Sequence, residues 1–229
     1  MRRITREDCP PDTLHRLLAG VTFYKELIHT DQTQFELLMS LTQFGFAEQG
    51  ETLLHKDEPA NILYFLLRGE LEVLADDNST PINIISAGEL LGVMAMVLDD
   101  RRSASLRVKT RNAILAGVDY EHFRDISDFS MFTLATKLSF FRMLTANIRW
   151  NIEKNRFANP SHPLVPRLRT IPLFSGSRDT PEELEALRVQ AHVLAELLCD
   201  WNASPADATA LTNATVQADA TSTTITTVG

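Results

Sequence analysis

Arg102 is followed by the small pair Ser103-Ala104 and preceded by Gly92-Val93-Met94-Ala95. Those residue types have the chemistry of an anion cradle. A guanidinium offers a fixed fork of donors to a phosphate. Small residues beside it let backbone N–H groups approach the anion, and Gly92, Ala95, Ser103 and Ala104 are small at those places. Ser103 adds a hydroxyl donor. The apolar stretch Met94–Leu98 reads as a short helical turn whose first N–H groups aim at the same anion. Asn147, farther along, sits within an apolar helical stripe. There it can hydrogen-bond a ligand edge, fix the register of a helix seam, or simply be exposed.

Other chemistries find no support. Six histidines (His15, His29, His55, His122, His162, His192) are scattered and form no metal-ligand cluster, so neither a metal nor a bound cofactor is expected. There is no Gly-x-Ser-x-Gly elbow and no P-loop. Cys9 and Cys199 have no activating base in their sequence neighbourhoods.

Composition narrows the class further. The 229 residues are 44% hydrophobic and 23% charged, with a net charge of −8, which describes an ordinary globular chain. An acidic balance argues against general nucleic-acid binding. No apolar run is long enough to span a bilayer. The start, Met1-Arg2-Arg3-Ile4-Thr5-Arg6-Glu7-Asp8, has no apolar core of a secretory signal. With two isolated cysteines, a reduced cytoplasmic setting is expected.

The elements that must hold the cradle are legible from periodicity. Residues 11–46 read as helical, with Leu14, Leu17, Leu18 and Val21 on one face, and Thr30-Asp31 capping a second helix. From Gly45 short apolar runs alternate with turn residues, which predicts an all-β roll, sandwich or barrel. Its strands include 52–55, 62–67, 71–75, 103–108 and 113–118, and Asp76–Ser79 reads as a hairpin turn. A long helix follows. One stripe, Leu134, Leu138, Phe141, Leu144, Ile148 and Ile152, steps by about 3.6 residues. A second, Phe140, Met143, Asn147 and Trp150, implies contact on two sides. Asn159-Pro160 ends it. Thr180-Pro181-Glu182-Glu183 starts a last helix through Trp201, whose Leu184–Trp201 seam suits a partner or its own domain equally. Residues 203–229 are mostly Ala and Thr and are expected to be a disordered tail.

The stretch Gly92 to Ser105 resembles the phosphate-binding cassette of the cyclic-nucleotide-binding domain family. Gly50-Glu51-Thr52-Leu53, the Ile62–Val73 hairpin, Ser86–Gly92 and Arg107–Phe123 resemble its flanking segments, so the likeness covers about residues 15–156. It implies an α+β fold, an antiparallel β-roll of the double-stranded jelly-roll type flanked by N-terminal helices and a long C-terminal helix. The implied divisions are N-terminal helices at 1–46, the roll at 47–122, the long helix at 123–158, a connector and C-terminal helix at 159–202, and the tail. The implied ligand is cAMP or a related cyclic nucleotide, held by Gly92, Val93, Met94, Ala95, Arg102, Ser103, Ala104 and Asn147.

Two departures stand out. The family places a Glu after the cassette glycine to accept from the ribose 2′-hydroxyl, and here that residue is Val93. Losing such a bond costs about 1.5–3 kcal/mol, about 10- to 150-fold in affinity. The catabolite-activator-protein type also carries a helix-turn-helix domain after the long helix. Here that region offers one helix bearing Glu182, Glu183, Glu185, Glu196 and Asp200 against Arg188, the wrong charge for DNA. The expectation is therefore a stand-alone, non-catalytic bacterial second-messenger sensor, acting through a protein partner on the long or C-terminal helix, with a homodimer open. The alternative is a ligand-free fold serving as an adaptor or dimer. Arg142, Arg149, Lys154, Arg156, Arg167 and Arg169 against Glu153 alone form either a docking face for an acidic partner or a solvated helix face.

Overall fold

The run Ile62–Leu67 is apolar without alternation because both faces of its strand are buried. In the computed structural model, which describes residues 1–5, 8–75 and 80–204, Leu63, Phe65 and Leu67 of β4 (Ile62–Arg68) face one core and Leu66 faces another. The last long strand, β9 (Asn112–Asp119), behaves alike: Ala113 and Leu115 point one way, Ile114, Ala116 and Val118 the other. Period-two alternation is thus present, but it divides apolar residues between two cores.

The other strands are β1 (Arg2–Arg3), β2 (Gln43–Glu48), β3 (Thr52–Leu54), β5 (Glu70–Leu74), β6 (Pro81–Ser86), β7 (Leu90–Leu91) and β8 (Ser105–Val108). All pairings between them are antiparallel. They form two sheets, ordered β1-β2-β9-β4-β7 and β3-β8-β5-β6. Ala47, Leu54, Leu66, Leu71, Leu91, Leu106, Val108, Ala113 and Leu115 fill the space between them. This is the expected antiparallel roll flanked by helices, and its sheets do not close into a barrel.

The helices pack on the outer face of the larger sheet. They are α1 (Pro11–Leu18), α2 (Thr22–Thr30), α3 (Gln32–Leu41), α4 (Val93–Val97), α5 (Glu121–Arg124), α6 (Leu134–Ala158) and α7 (Pro181–Asn202). Phe23, Tyr24, Phe65, Phe123, Phe132 and Phe140 form a buried aromatic cluster, and the Phe123 and Phe140 rings stack with centroids 3.9 Å apart. Asp31, Thr133 and Thr180 cap α3, α6 and α7 as side-chain acceptors.

Two readings change, and a third that the spacing left open is resolved. Helix was expected through residue 46, but the chain turns to strand at Gln43. There Phe46 and Ala47 are buried against β9, and pairing along the full β9 edge outweighs local propensity. The strand expected from Ser103 begins at Ser105, because the preceding residues shape the loop that carries Arg102. The seam of α7 closes on its own domain. Leu184, Ala191, Leu194, Leu198 and Trp201 are buried, chiefly against α6. The two helices run in the same direction, with Arg142 bound to Glu183 near one end and Asn155 to Asn202 near the other. The Asp76–Ser79 turn and nearly all of the expected tail lie outside the described residues.

Trp201 stacks on His162 of the connector, centroids 4.0 Å apart, and both are buried. Trp201→Ala is expected to cost about 3–5 kcal/mol by opening the α6–α7 seam, measured by denaturant unfolding.

Candidate anion site

The backbone of Arg102 is clamped before its side chain is placed. Its N–H donates to the Glu58 carbonyl at 3.0 Å, and its own carbonyl accepts from the Asp57 N–H at 2.9 Å. An isolated bridge joins Pro59 to Arg101. Exposed Arg101 donates from its guanidinium to the Asp57 carbonyl at 2.6 Å. The loop between β3 and β4 therefore fixes where Arg102 leaves the chain.

The Arg102 side chain then turns inward. The residue is only 7% exposed, its guanidinium lies 6.0 Å from the Tyr64 ring centroid, and its Nη1 is buried without a hydrogen-bond partner. Among the described residues no carboxylate forms an ion pair with it. Burial pushes its pKa below the ordinary arginine value, with the nearby Tyr64 and Glu58 acting in the opposite direction. A buried charge without a partner is costly and uncommon. It is the arrangement an incoming anion would complete.

Gly92 makes room for it. Gly92 is the N-cap of α4 with φ +80°, and a Cβ there would stand 2.6 Å from Arg102 Nη1. The left-handed backbone selects glycine, and the tip of the Arg102 side chain occupies the space a Cβ would take. Tyr64 is held in turn by Gly117 opposite it on β9, where a Cβ would come within 2.8 Å of the Tyr64 ring.

The remaining expected residues separate. Ala95 and Ala104 are half-buried, and Ser103 is exposed. Val93 is 6% exposed and belongs to the helix-side core, so its side chain is spent on packing. The Met94 thioether accepts from the Cys199 thiol of α7 at 3.9 Å, tying α4 to the C-terminal helix. Asn147 is half-buried on α6 and accepts from Asn151 of the same helix at 3.4 Å. Glu89, four residues before Val93, accepts from the Ser86 N–H and faces Lys154 at 3.8 Å. Among the described residues no group of three or more His, Cys, Asp or Glu is arranged to hold a metal, and no helix is long and apolar enough to cross a membrane.

Sequence reasoning missed Tyr64 and the 57–59 clamp. Tyr64 was visible in parity, since it shares the inward face of β4 with Leu66. The clamp carries no motif, because it acts through backbone groups.

A family model matches the part of the chain that holds the site. Residues 46–128 match the cyclic nucleotide-binding domain family. That segment runs from β2 past α5 and contains Gly92, Tyr64 and Arg102. Over 122 residues the chain is 24% identical to a cGMP-dependent protein kinase of Eimeria tenella, covering 50% of this chain but only 12% of the kinase. A cyclic nucleotide-binding domain from Methylobacillus flagellatus shares the fold, at TM-score 0.51 and 16% identity, over 70% of this chain and 87% of that one. The regulatory domain of Toxoplasma gondii PKA, crystallised with cAMP, aligns at TM-score 0.41 and 18% identity, over 59% of this chain and 51% of that one.

Gly92→Ala is expected to cost more stability than Gly88→Ala. Both glycines have positive φ, worth about 1–2 kcal/mol for alanine, but only Gly92 also faces the guanidinium, Gly88 having open space. Equal costs in denaturant unfolding would refute the tight contact.

Proposed function

We propose that this chain is a non-catalytic sensor of an anionic cyclic nucleotide, cAMP or a close relative, and that it signals to a protein partner. One observation carries the reading: a buried guanidinium nitrogen with no partner, lodged beside a glycine whose side-chain space it fills. The nucleotide phosphate would pair with Arg102. Backbone N–H groups around Gly92–Ala95 and Ser103–Ala104 would complete the cradle, and the exposed Ser103 hydroxyl is free to turn toward it.

Output would pass through α4. Its Val93 and Met96 are buried in the helix-side core, and its Met94 touches Cys199 of α7. An anion that draws Arg102 and the Gly92 turn together would change how α4 seats against α6 and α7. That is a population shift through differential contact. A partner, or a second copy, would then read the outer face of α6, where Trp150 is 60% and Phe157 71% exposed. The basic run is partly consumed internally: Arg142 binds Glu183 and Asp179, Arg156 binds Glu153, and Arg167 binds Asp200. A cytoplasmic setting fits the two free thiols.

A second reading has its own support. With Val93 in the core, the fold could serve as an adaptor that needs no ligand. Calorimetric titration with cAMP, cGMP and cyclic dinucleotides separates the two. The sensor predicts micromolar binding of at least one ligand and its loss in Arg102→Met. Absence of heat up to millimolar ligand would favour the adaptor.

A further inference from the structure

We propose that the free edge of β6 is a self-association surface, on which β6 of a second copy adds as an antiparallel strand. The contact is separate from the outer face of α6 and does not depend on the anion site being filled.

A sheet edge carries unpaired backbone donors and acceptors, and a monomer guards it with charge, brevity or cover. Among the described residues the two sheets end in β1, β7, β3 and β6. β1 is two residues long, both arginine, β7 has two residues and β3 has three. β6 has six, Pro81-Ile82-Asn83-Ile84-Ile85-Ser86, and none is charged. Its proline stands at the first position and leaves the rest of the edge open.

The backbone of β6 turns outward at Ile84. The Lys109 N–H donates to the Glu70 carbonyl at 3.0 Å, so Glu70 and Glu72 of β5 direct their backbone groups toward β8. Ile84 and Ser86, opposite Glu72 and Glu70 on β6, therefore direct theirs to the free side. There side chains stand in for a strand: Asn83 Oδ1 accepts from the Ile84 N–H at 2.8 Å, and Glu89 Oε1 accepts from the Ser86 N–H at 3.3 Å. The side chains agree. Ile84 shares the solvent face with Glu72, which pairs with Arg107 at 2.8 Å, and Ile82 is 47% exposed. Apolar side chains on that face gain from a cross-strand neighbour.

Charge selects the occupant. The chain carries −8 overall, which opposes contact between copies through charged surface. β6 meets itself without a like charge, and an antiparallel strand is its own complement about a two-fold axis. An axis at Ile84 lets each Ile84 N–H donate to the other copy's Ile84 carbonyl, in place of Asn83. A six-residue contact is small, so the association is reversible and concentration-dependent.

The test is sedimentation equilibrium of the full chain from about 1 to 500 μM, a span that covers weak specific contacts. Ile82→Lys and Ile84→Pro are run beside it, with Trp150→Ala as a control on α6. The expected mass rises about twofold with concentration in the unaltered chain and in Trp150→Ala. It stays that of one chain in both β6 variants. Ile82 is exposed, and proline at 84 removes only an outward N–H, so both variants are expected to keep the far-UV circular dichroism of the parent. Should the proline disturb the fold, Ile82→Lys decides alone. An unaltered chain that stays monomeric throughout would overturn the proposal. So would a dimer that survives Ile82→Lys, and its loss in Trp150→Ala alone would assign the contact to α6.

Discussion

A charged group held away from water must be paired, and in the described residues the Arg102 guanidinium presents a buried nitrogen that is not. The surrounding structure reads as the means of keeping it there. The 57–59 loop grips its backbone from one side. Gly92, in a left-handed conformation, vacates the volume its Nη1 occupies. Tyr64 stands against it from the inner face of β4, and Gly117 on β9 accommodates the tyrosine ring. The two sheets, by burying both faces of β4 and β9, make that geometry rigid. A functional site commonly carries such a local cost, offset by the stability of the rest of the fold.

The same rigidity links the site to the periphery. Helix α4 is a single turn with Gly92 at its start and the helix-side core beneath it, so it has little freedom to move alone. It meets α6 and α7, and α7 is anchored along its length by Leu184, Leu194, Leu198 and Trp201. The Gly92 turn is therefore joined to the C-terminal helix through packed side chains. The Met94–Cys199 contact is the most direct of these.

Much of this was legible in the sequence because it rests on local signals. The capping residues Asp31 and Thr180, the Asn159-Pro160 break and the stripe of α6 all specify structure within one or two turns. The cassette stretch was picked out by its resemblance to a family motif, and a glycine, small residues and an arginine in that order are of types that suit an anion. What escaped depends on non-local geometry. The switch to strand at Gln43 is set by a partner far away in sequence, β9. The role of Tyr64 appears only when β4 parity is referred to two cores. The fate of the α7 seam could not be decided from spacing, since an apolar stripe fits a partner and its own domain equally. The Val93 departure was visible as a missing carboxylate, but the positive fact that its side chain belongs to the core needed the packing.

The most direct test of the central claim is the ligand-free stability of Arg102→Met beside the unaltered chain, by denaturant unfolding. If the guanidinium is held uncompensated for the sake of an anion, the methionine should make the empty protein more stable. A variant less stable than the unaltered protein would contradict the account. It would mean that Arg102 already repays its burial within the fold.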